Sequence, residues 1–246
     1  MNLITHSRDS CVQVSAGNSR GTGFFIGPDR VATCLHVVAE WQVNGTNVQF
    51  NLLRDLKVKT AKGEIIDATC VSAPSQAAQE PLQYDFAILK LKSKPKDVPA
   101  ILKLNGAASK LDIGTDITFS GYPLATPAMV THKGMVSGID QTGSIICIQA
   151  PINKGNSGGA LIGPNGDAYG IIDMREGGIS RGLQDLSHYI DDAKKHGSVA
   201  IMGVDPLAAF NEVIGTLDTY ISTGIGYAVS AQHLQNYISA HPDVMK

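Results

Sequence analysis

The stretch GNSGGALIGPNGDAYGII (155–172) can be read in two ways. Asn-Ser-Gly-Gly is ordinary turn material, because glycine reaches φ > 0 at no steric cost and Asn and Ser bond locally to the backbone. It is also how a chain would hold one serine hydroxyl exposed beside two backbone N–H groups. Whether Ser157 is a turn residue or a nucleophile depends on whether the rest of the chain supplies a base, a group to orient it and a suitable scaffold.

The scaffold reads as β from Cys11 to Pro151. Strands are expected over 11–17, 21–27, 30–38, 47–53, 64–73, 86–92, 116–122, 129–139 and 144–150, each rich in Val, Ile, Thr and Phe and bounded by Gly, Pro, Asn or Asp. Many short strands with irregular polar loops favour antiparallel barrels or a sandwich over βαβ units. The charged, Pro-bearing LKSKPKDVP (91–99) is the expected linker between two β units. Asn44-Gly45 reads as a hairpin turn. After a further strand over 168–174 the pattern changes. Residues 183–197 place Leu183, Leu186, Ile190 and Ala193 at helical spacing, with Gly197 as C′ residue. Residues 205–221 form a second amphipathic helix, with Asp205 as N-cap and Pro206 in the first turn. The strand 224–230 and a short helix over 231–241 follow.

Composition excludes several classes. The 246 residues, 43% hydrophobic and 17% charged, fit a soluble globular protein of one large domain or two sharing an interface. A net charge of −2 gives no footprint for nucleic acid or an anionic membrane. No apolar run approaches a spanning helix, and MNLITHSRDS lacks the basic and apolar regions of a signal peptide. Cys11, Cys34, Cys70 and Cys147 form no CxxC pair and read as reduced core residues of a cytoplasmic protein. The seven histidines show no ligand spacing, so no metal is expected.

A base and an orienter are present. His36 ends the run GTGFFIGPDRVATCLHVV (21–38), and Asp85 opens QYDFAILKLK (83–92). Their order, His36, Asp85, Ser157, resembles that of trypsin-like serine proteases. The flanks match as well. GTGFFIG…VATCLHVV is similar to the family's strand–turn–strand ending in the catalytic His, YDFAILKL to its Asp-bearing strand, and GNSGGAL to its nucleophile loop. GNSGGALIGPNGDAYGII and GIGYAVS (224–230) bring the pattern closer still to HtrA-type and related bacterial trypsin-like peptidases, over roughly residues 8–175 and 223–240 by motif order.

The resemblance implies a mainly β, chymotrypsin-like fold: two perpendicular six-stranded antiparallel Greek-key barrels. The first, 1–98, would carry His36 and Asp85. The second, 99–246, would carry Ser157, a helical insertion at 178–222 and a C-terminal helix at 230–242. It implies a serine endopeptidase acting through an acyl-enzyme on Ser157, with His36 as general base then acid, Asp85 orienting it, and the N–H groups of Gly155 and Ser157 as oxyanion donors. No cofactor is implied. The substrate pocket falls to Ile152, Asp173, Met174, Arg175 and Gly224, and an apolar pocket is expected unless Asp173 faces inward to select a basic residue. Asn156 stands where trypsin zymogens carry the Asp that pairs with a newly cut N-terminus, so activation by N-terminal cleavage is not expected.

Three departures stand out: Lys154 where those proteases carry Pro, a chain ending too soon for a PDZ module, and the insertion 178–222. That insertion either packs on the barrel or serves as a lid or a site for a regulatory protein partner. The competing reading is a latent or inactive protease-fold module that holds a peptide as an added strand.

Overall fold

Alternation along each strand decides which side chains turn inward. In the computed structural model, which describes residues 2–44, 47–80, 83–124, 126–175, 181–197, 200–220 and 224–246, β1 (Cys11–Ala16) buries Val12, Val14 and Ala16 and leaves Gln13 and Ser15 half-exposed. β2 (Ser19–Gly27) and β3 (Arg30–Thr33) continue from it as an antiparallel meander. β4 (Ala39–Asn44) and β5 (Asn47–Leu52) pair only with each other, pinned by Trp41 edge-on to its cross-strand partner Phe50 at 5.5 Å. The expected turn residues Gly45 and Thr46 lie outside the described residues. β6 (Lys57–Thr60), β7 (Ile65–Ser72) and β8 (Ala87–Leu91) close a six-stranded barrel in the order β1-β2-β3-β8-β7-β6.

The second barrel repeats that winding. β9 (Asp116–Gly121), β10 (Val130–Ile139), β11 (Ile145–Gln149), β12 (Ala160–Ile162), β13 (Ala168–Arg175) and β14 (Ile225–Ser230) close as β10-β11-β14-β13-β12-β9. The fold is therefore the chymotrypsin-like pair of closed antiparallel barrels. Phe119, Val136, Ile146, Ile148, Leu161 and Ile172 fill the second. The core of the first continues across the joint to Ala160, Ile162, Ala168 and Ile171.

Two strands differ from expectation. The run 47–53 is strand but stands outside the barrel, and its place beside β1 is taken by Lys57–Thr60. That segment is only four residues with two lysines, too short and charged to announce itself, yet it buries Val58 and Thr60.

The terminal helices cross over. α1 (Leu3–Ser10), capped by Asn2 Oδ1 on the N–H groups of Ile4 and Thr5, packs on β9, β10 and β12 of the second barrel. Ser7 Oγ donates to Ser120 Oγ at 2.8 Å, and Arg8 reaches Thr131 Oγ1 at 3.2 Å. α2 (Leu35–Val38) is one turn ending the run of β3, where a strand over 30–38 was expected. At the other end of the chain, α5 (Ala231–Ala240), and the 3₁₀ turn Pro242–Met245, bury Leu234, Tyr237, Val244 and Met245 against the first barrel's core. Arg30, 1% exposed, donates its Nε–H to Val244 O at 2.6 Å and pairs with Asp29 at 2.8 Å.

Residues 175–223 form a separate compact unit. Within it α3 (Arg181–Lys194) and α4 (Pro206–Tyr220) are joined by Ser187 Oγ donating to Asn211 Oδ1 and Asn211 Nδ2 donating to Asp191 Oδ1. Asp205 caps α4, accepting from Leu207 N at 2.9 Å and Ala208 N at 3.1 Å. Residues 178–180, 198–199 and 221–222 of the expected insertion lie outside the described residues.

Candidate active site

His36 is presented by the turn that follows β3. Cys34 remains extended, and α2 then buries Leu35, Val37 and Val38, which leaves His36 as its half-buried member. Asp85, 5% exposed just before β8, grips that turn twice. Its Oδ1 accepts the backbone N–H of His36 at 2.9 Å, and its Oδ2 takes the hydrogen bond from the imidazole Nδ1. The contact engages Nδ1, and no hydrogen bond to Nε2 is made among the described residues.

Ser157 arrives from the second barrel on the β11–β12 loop. That loop is clamped by Thr22 of β2, whose N–H donates to Ser157 O at 2.8 Å. Thr22 Oγ1 donates to Gly155 O at 2.6 Å and accepts from Tyr122 N at 3.0 Å. Gly155 and Gly158 sit at φ +97° and +94°. A Cβ at 158 would lie 1.9 Å from Thr22 O, so only glycine fits after the serine. The N–H groups of Asn156, Gly158 and Gly159 all have backbone acceptors. Those of Gly155 and Ser157 have none among the described residues, which leaves two donors flanking the serine. Asn156 is fully buried, and neither amide atom has a hydrogen-bond partner among the described residues. A carboxylate in that place would be an unpaired buried charge.

Ser157 Oγ donates to the backbone carbonyl of Asp173 at 2.8 Å, and among the described residues no hydrogen bond joins it to His36. The Asp173 side chain is 3% exposed. Its Oδ1 lies 3.6 Å from His36 Nδ1, and its carboxyl comes within 4.8 Å of that of Asp85. Of the other residues expected at the substrate pocket, Ile152 is buried in the second barrel's core and Gly224, at φ +75°, accepts Ala150 N at 2.9 Å. Met174 and Arg175 end β13, and their side chains lie outside the described residues.

The electrostatics follow from this packing. Burial opposes a charge on His36, but the hydrogen bond to Asp85 and the charges of Asp85 and Asp173 outweigh it, and the imidazole pKa rises above its ordinary value. Burial likewise disfavours a charge on Asp85, yet the hydrogen bond and charge of His36, the hydrogen bond from Asp173 and the His36 N–H hold it below the usual carboxylate range. Asp173 goes the other way: burial first, then the charge of Asp85 and the hydrogen bond to it, push its carboxyl up to about 8. Cys34, His36, Asp85 and Asp173 place potential ligand atoms within 4.8 Å of one another. Their bonding is already mutual or to backbone, and burial keeps the Cys34 thiol well above its ordinary pKa as its Sγ meets Ile172 O at 3.2 Å.

Residues 21–171 match the trypsin-like peptidase domain. The chain belongs to the trypsin-like peptidase family. Within it this domain is 31% identical over 202 residues to the putative protease Do-like 14 of Arabidopsis thaliana, covering 76% of this chain and 44% of the relative. It is 33% identical over 165 residues to the serine protease Rv3671c of Mycobacterium tuberculosis (strain ATCC 25618 / H37Rv), with coverages of 62% and 35%. It is also 30% identical over 160 residues to the periplasmic serine endoprotease DegP of Escherichia coli (strain K12), with coverages of 61% and 29%. The chain thus spans less than half the length of these relatives. The crystal structure of the Rv3671c protease in its inactive form superposes with a TM-score of 0.59 at 20% identity, over 97% of this chain and 91% of that one, a likeness of fold.

Two site features were not assigned from sequence. Thr22 lies inside GTGFFIG, quoted only as strand. Its signal was a hydroxyl among glycines and phenylalanines, at a position where alternation points it out of the first core. Asp173 was read toward a pocket. Counting alternation from Ile171, which joins the first core, through Ile172, which joins the second, would have turned it toward His36 and Asp85.

Proposed function

We propose that this trypsin-like peptidase domain is a serine endopeptidase that cleaves protein substrates through an acyl-enzyme on Ser157. The observation that carries this reading is the pairing of His36 with Asp85 on one barrel, across from a serine flanked by two uncommitted N–H groups on the other. In the reaction His36 Nε2 takes the Ser157 proton as Oγ attacks the scissile carbonyl, then returns it to the leaving amine. Asp85 stays ionised and balances the imidazolium. The N–H groups of Gly155 and Ser157 receive the oxyanion, and such donors are worth about 3–4 kcal/mol each. Water then repeats the sequence on the acyl-enzyme. Cys11, Cys34 and Cys70 form no disulfide among the described residues, which supports work in a reducing, intracellular compartment.

One observation favours a latent resting state: the Ser157 hydroxyl is spent on Asp173 O. Substrate that claims this carbonyl with its own N–H would release the hydroxyl toward His36. The test is incubation with a fluorophosphonate and intact mass, with Ser157→Ala as control, followed by digestion of an unstructured protein. One adduct on wild type, none on the variant and internal peptide cuts support the reading. A folded wild type that is never labelled, with or without peptide, rejects it in favour of a binding module.

A further inference from the structure

Asp173 has a position that the proposed reaction does not use. It ends the apolar run AYGIID on β13 and, by alternation, shares the face of Ile171 toward the first barrel. Its carboxyl lies within 4.8 Å of that of Asp85 there, with His36 Nδ1 at 3.6 Å. Two carboxylates cannot share a dry site unless one holds a proton. Among the described residues, the titratable groups facing Asp173 are Asp85, from the segment before β8, and His36 and Cys34, from the turn at α2. The nucleophile loop meets Asp173 through the hydroxyl of Ser157, and among the described residues no lysine or arginine is a cause of its shift. Cys34 stays a neutral thiol, held far above its ordinary range by burial.

We propose that Asp173 is a positioning residue: it is protonated at neutral pH, its carboxyl O–H donates to Asp85, and the pair presents a single, oriented negative charge to His36. The same residue offers its backbone carbonyl to Ser157, so one position on β13 touches both halves of the site. Losing the proton to solvent removes a donor from Asp85 and leaves two buried negative charges in contact. Their repulsion pushes β13 off the His36 turn and misplaces the serine it holds. The site therefore closes down at alkaline pH, whereas an imidazole base alone would stay active there.

This inference rests on the serine-nucleophile reading, and the experiment separates the two. Fluorophosphonate labelling rates across pH 6–10 are measured for wild type, Asp173→Asn and Asp173→Ala, with ¹³C-carboxyl NMR of aspartate-labelled protein beside them. Wild-type labelling is expected to fall through a transition near pH 8, by about tenfold one unit above it. Asp173→Asn keeps an N–H donor, so it should label at neutral pH within about threefold of wild type and lack the alkaline fall. Asp173→Ala should be slower at every pH by about tenfold or more, the loss of a hydrogen bond to a charged group. A carboxyl resonance titrating near the same pH should be present in wild type and absent from Asp173→Asn. An alkaline fall that persists in Asp173→Asn, equal rates for the Asn and Ala variants, or no aspartate titrating above neutral each overturns the proposal. A wild type never labelled at Ser157 overturns the functional reading instead, and the carboxyl titration then decides the protonated pair by itself.

Discussion

Replacing Gly158 by alanine should separate backbone strain from collision at the residue after Ser157, the proposed nucleophile. At φ +94° an L side chain is strained by about 1–2 kcal/mol. The added Cβ would also lie 1.9 Å from Thr22 O and 2.4 Å from Thr33 Oγ1, where ordinary contact needs about 3.5 Å. Thr22 O cannot retreat freely, because it accepts Thr33 Oγ1 at 2.6 Å while Thr22 N holds Ser157 O. Overpacking of this kind costs about 1–3 kcal/mol, for a total of about 2–5 kcal/mol. With a urea m-value of about 2–3 kcal/mol/M the unfolding midpoint should fall by about 1–2 M. Gly17→Ala is the control, since φ there is +56° and nothing lies within 4 Å of its Cβ. It should lose only the strain, about 0.5 M in midpoint, and label with fluorophosphonate like wild type, whereas Gly158→Ala labels far more slowly. Equal midpoint shifts for the two variants, or full labelling of Gly158→Ala, would refute the argument that Thr22 abuts the nucleophile loop.

Thr22→Val strips Gly155 O and Tyr122 N of their side-chain partner, so urea denaturation should show a loss of about 2–5 kcal/mol together with slower labelling. Arg30→Met frees Val244 O, and hydrogen exchange should quicken over residues 241–246 at a cost of about 1–3 kcal/mol. Labelling should fall on the acid side as His36 gains its proton, with the limb above the ordinary imidazole value of about 6.5. The sign for stability is opposite: protonated His36 favours the fold below that ordinary value, and the contribution is lost as pH rises through the higher folded one. Melting temperatures of wild type and His36→Gln should therefore diverge most at low pH and converge above it.

Sequence reading reached the two barrels because branched runs bounded by glycine declare strands, and because three motifs in fixed order declare which strand ends and loop carry His36, Asp85 and Ser157. It found α4 through the Asp205 cap, whose two hydrogen bonds are local. It missed what is decided across the chain. Residues 57–60 are strand because β1 and β7 hold them on both sides, and nothing in Lys-Val-Lys-Thr says so alone. Residues 205–221 were expected as an amphipathic helix, yet its Phe210 and Leu217 are exposed, since spacing gives the face of a helix and not its cover. Division of the chain at 98/99 gave no hint that α1 docks on the second barrel and α5 on the first. An amphipathic helix of ten residues or fewer fits many surfaces equally well.

That exchange of ends has a consequence for the order in which the protein can form. During synthesis α1 leaves the ribosome well before its seat on β9, β10 and β12, which does not exist until residue 162 has followed. The first barrel has all six strands by residue 91, but its core stays open until Leu234, Tyr237, Val244 and Met245 arrive. Arg30 waits 214 residues for the carbonyl that satisfies it. Neither half can be finished while the other is unmade, so the two are expected to mature together, late and slowly for their size. A site shared between two such halves forms only once both have folded.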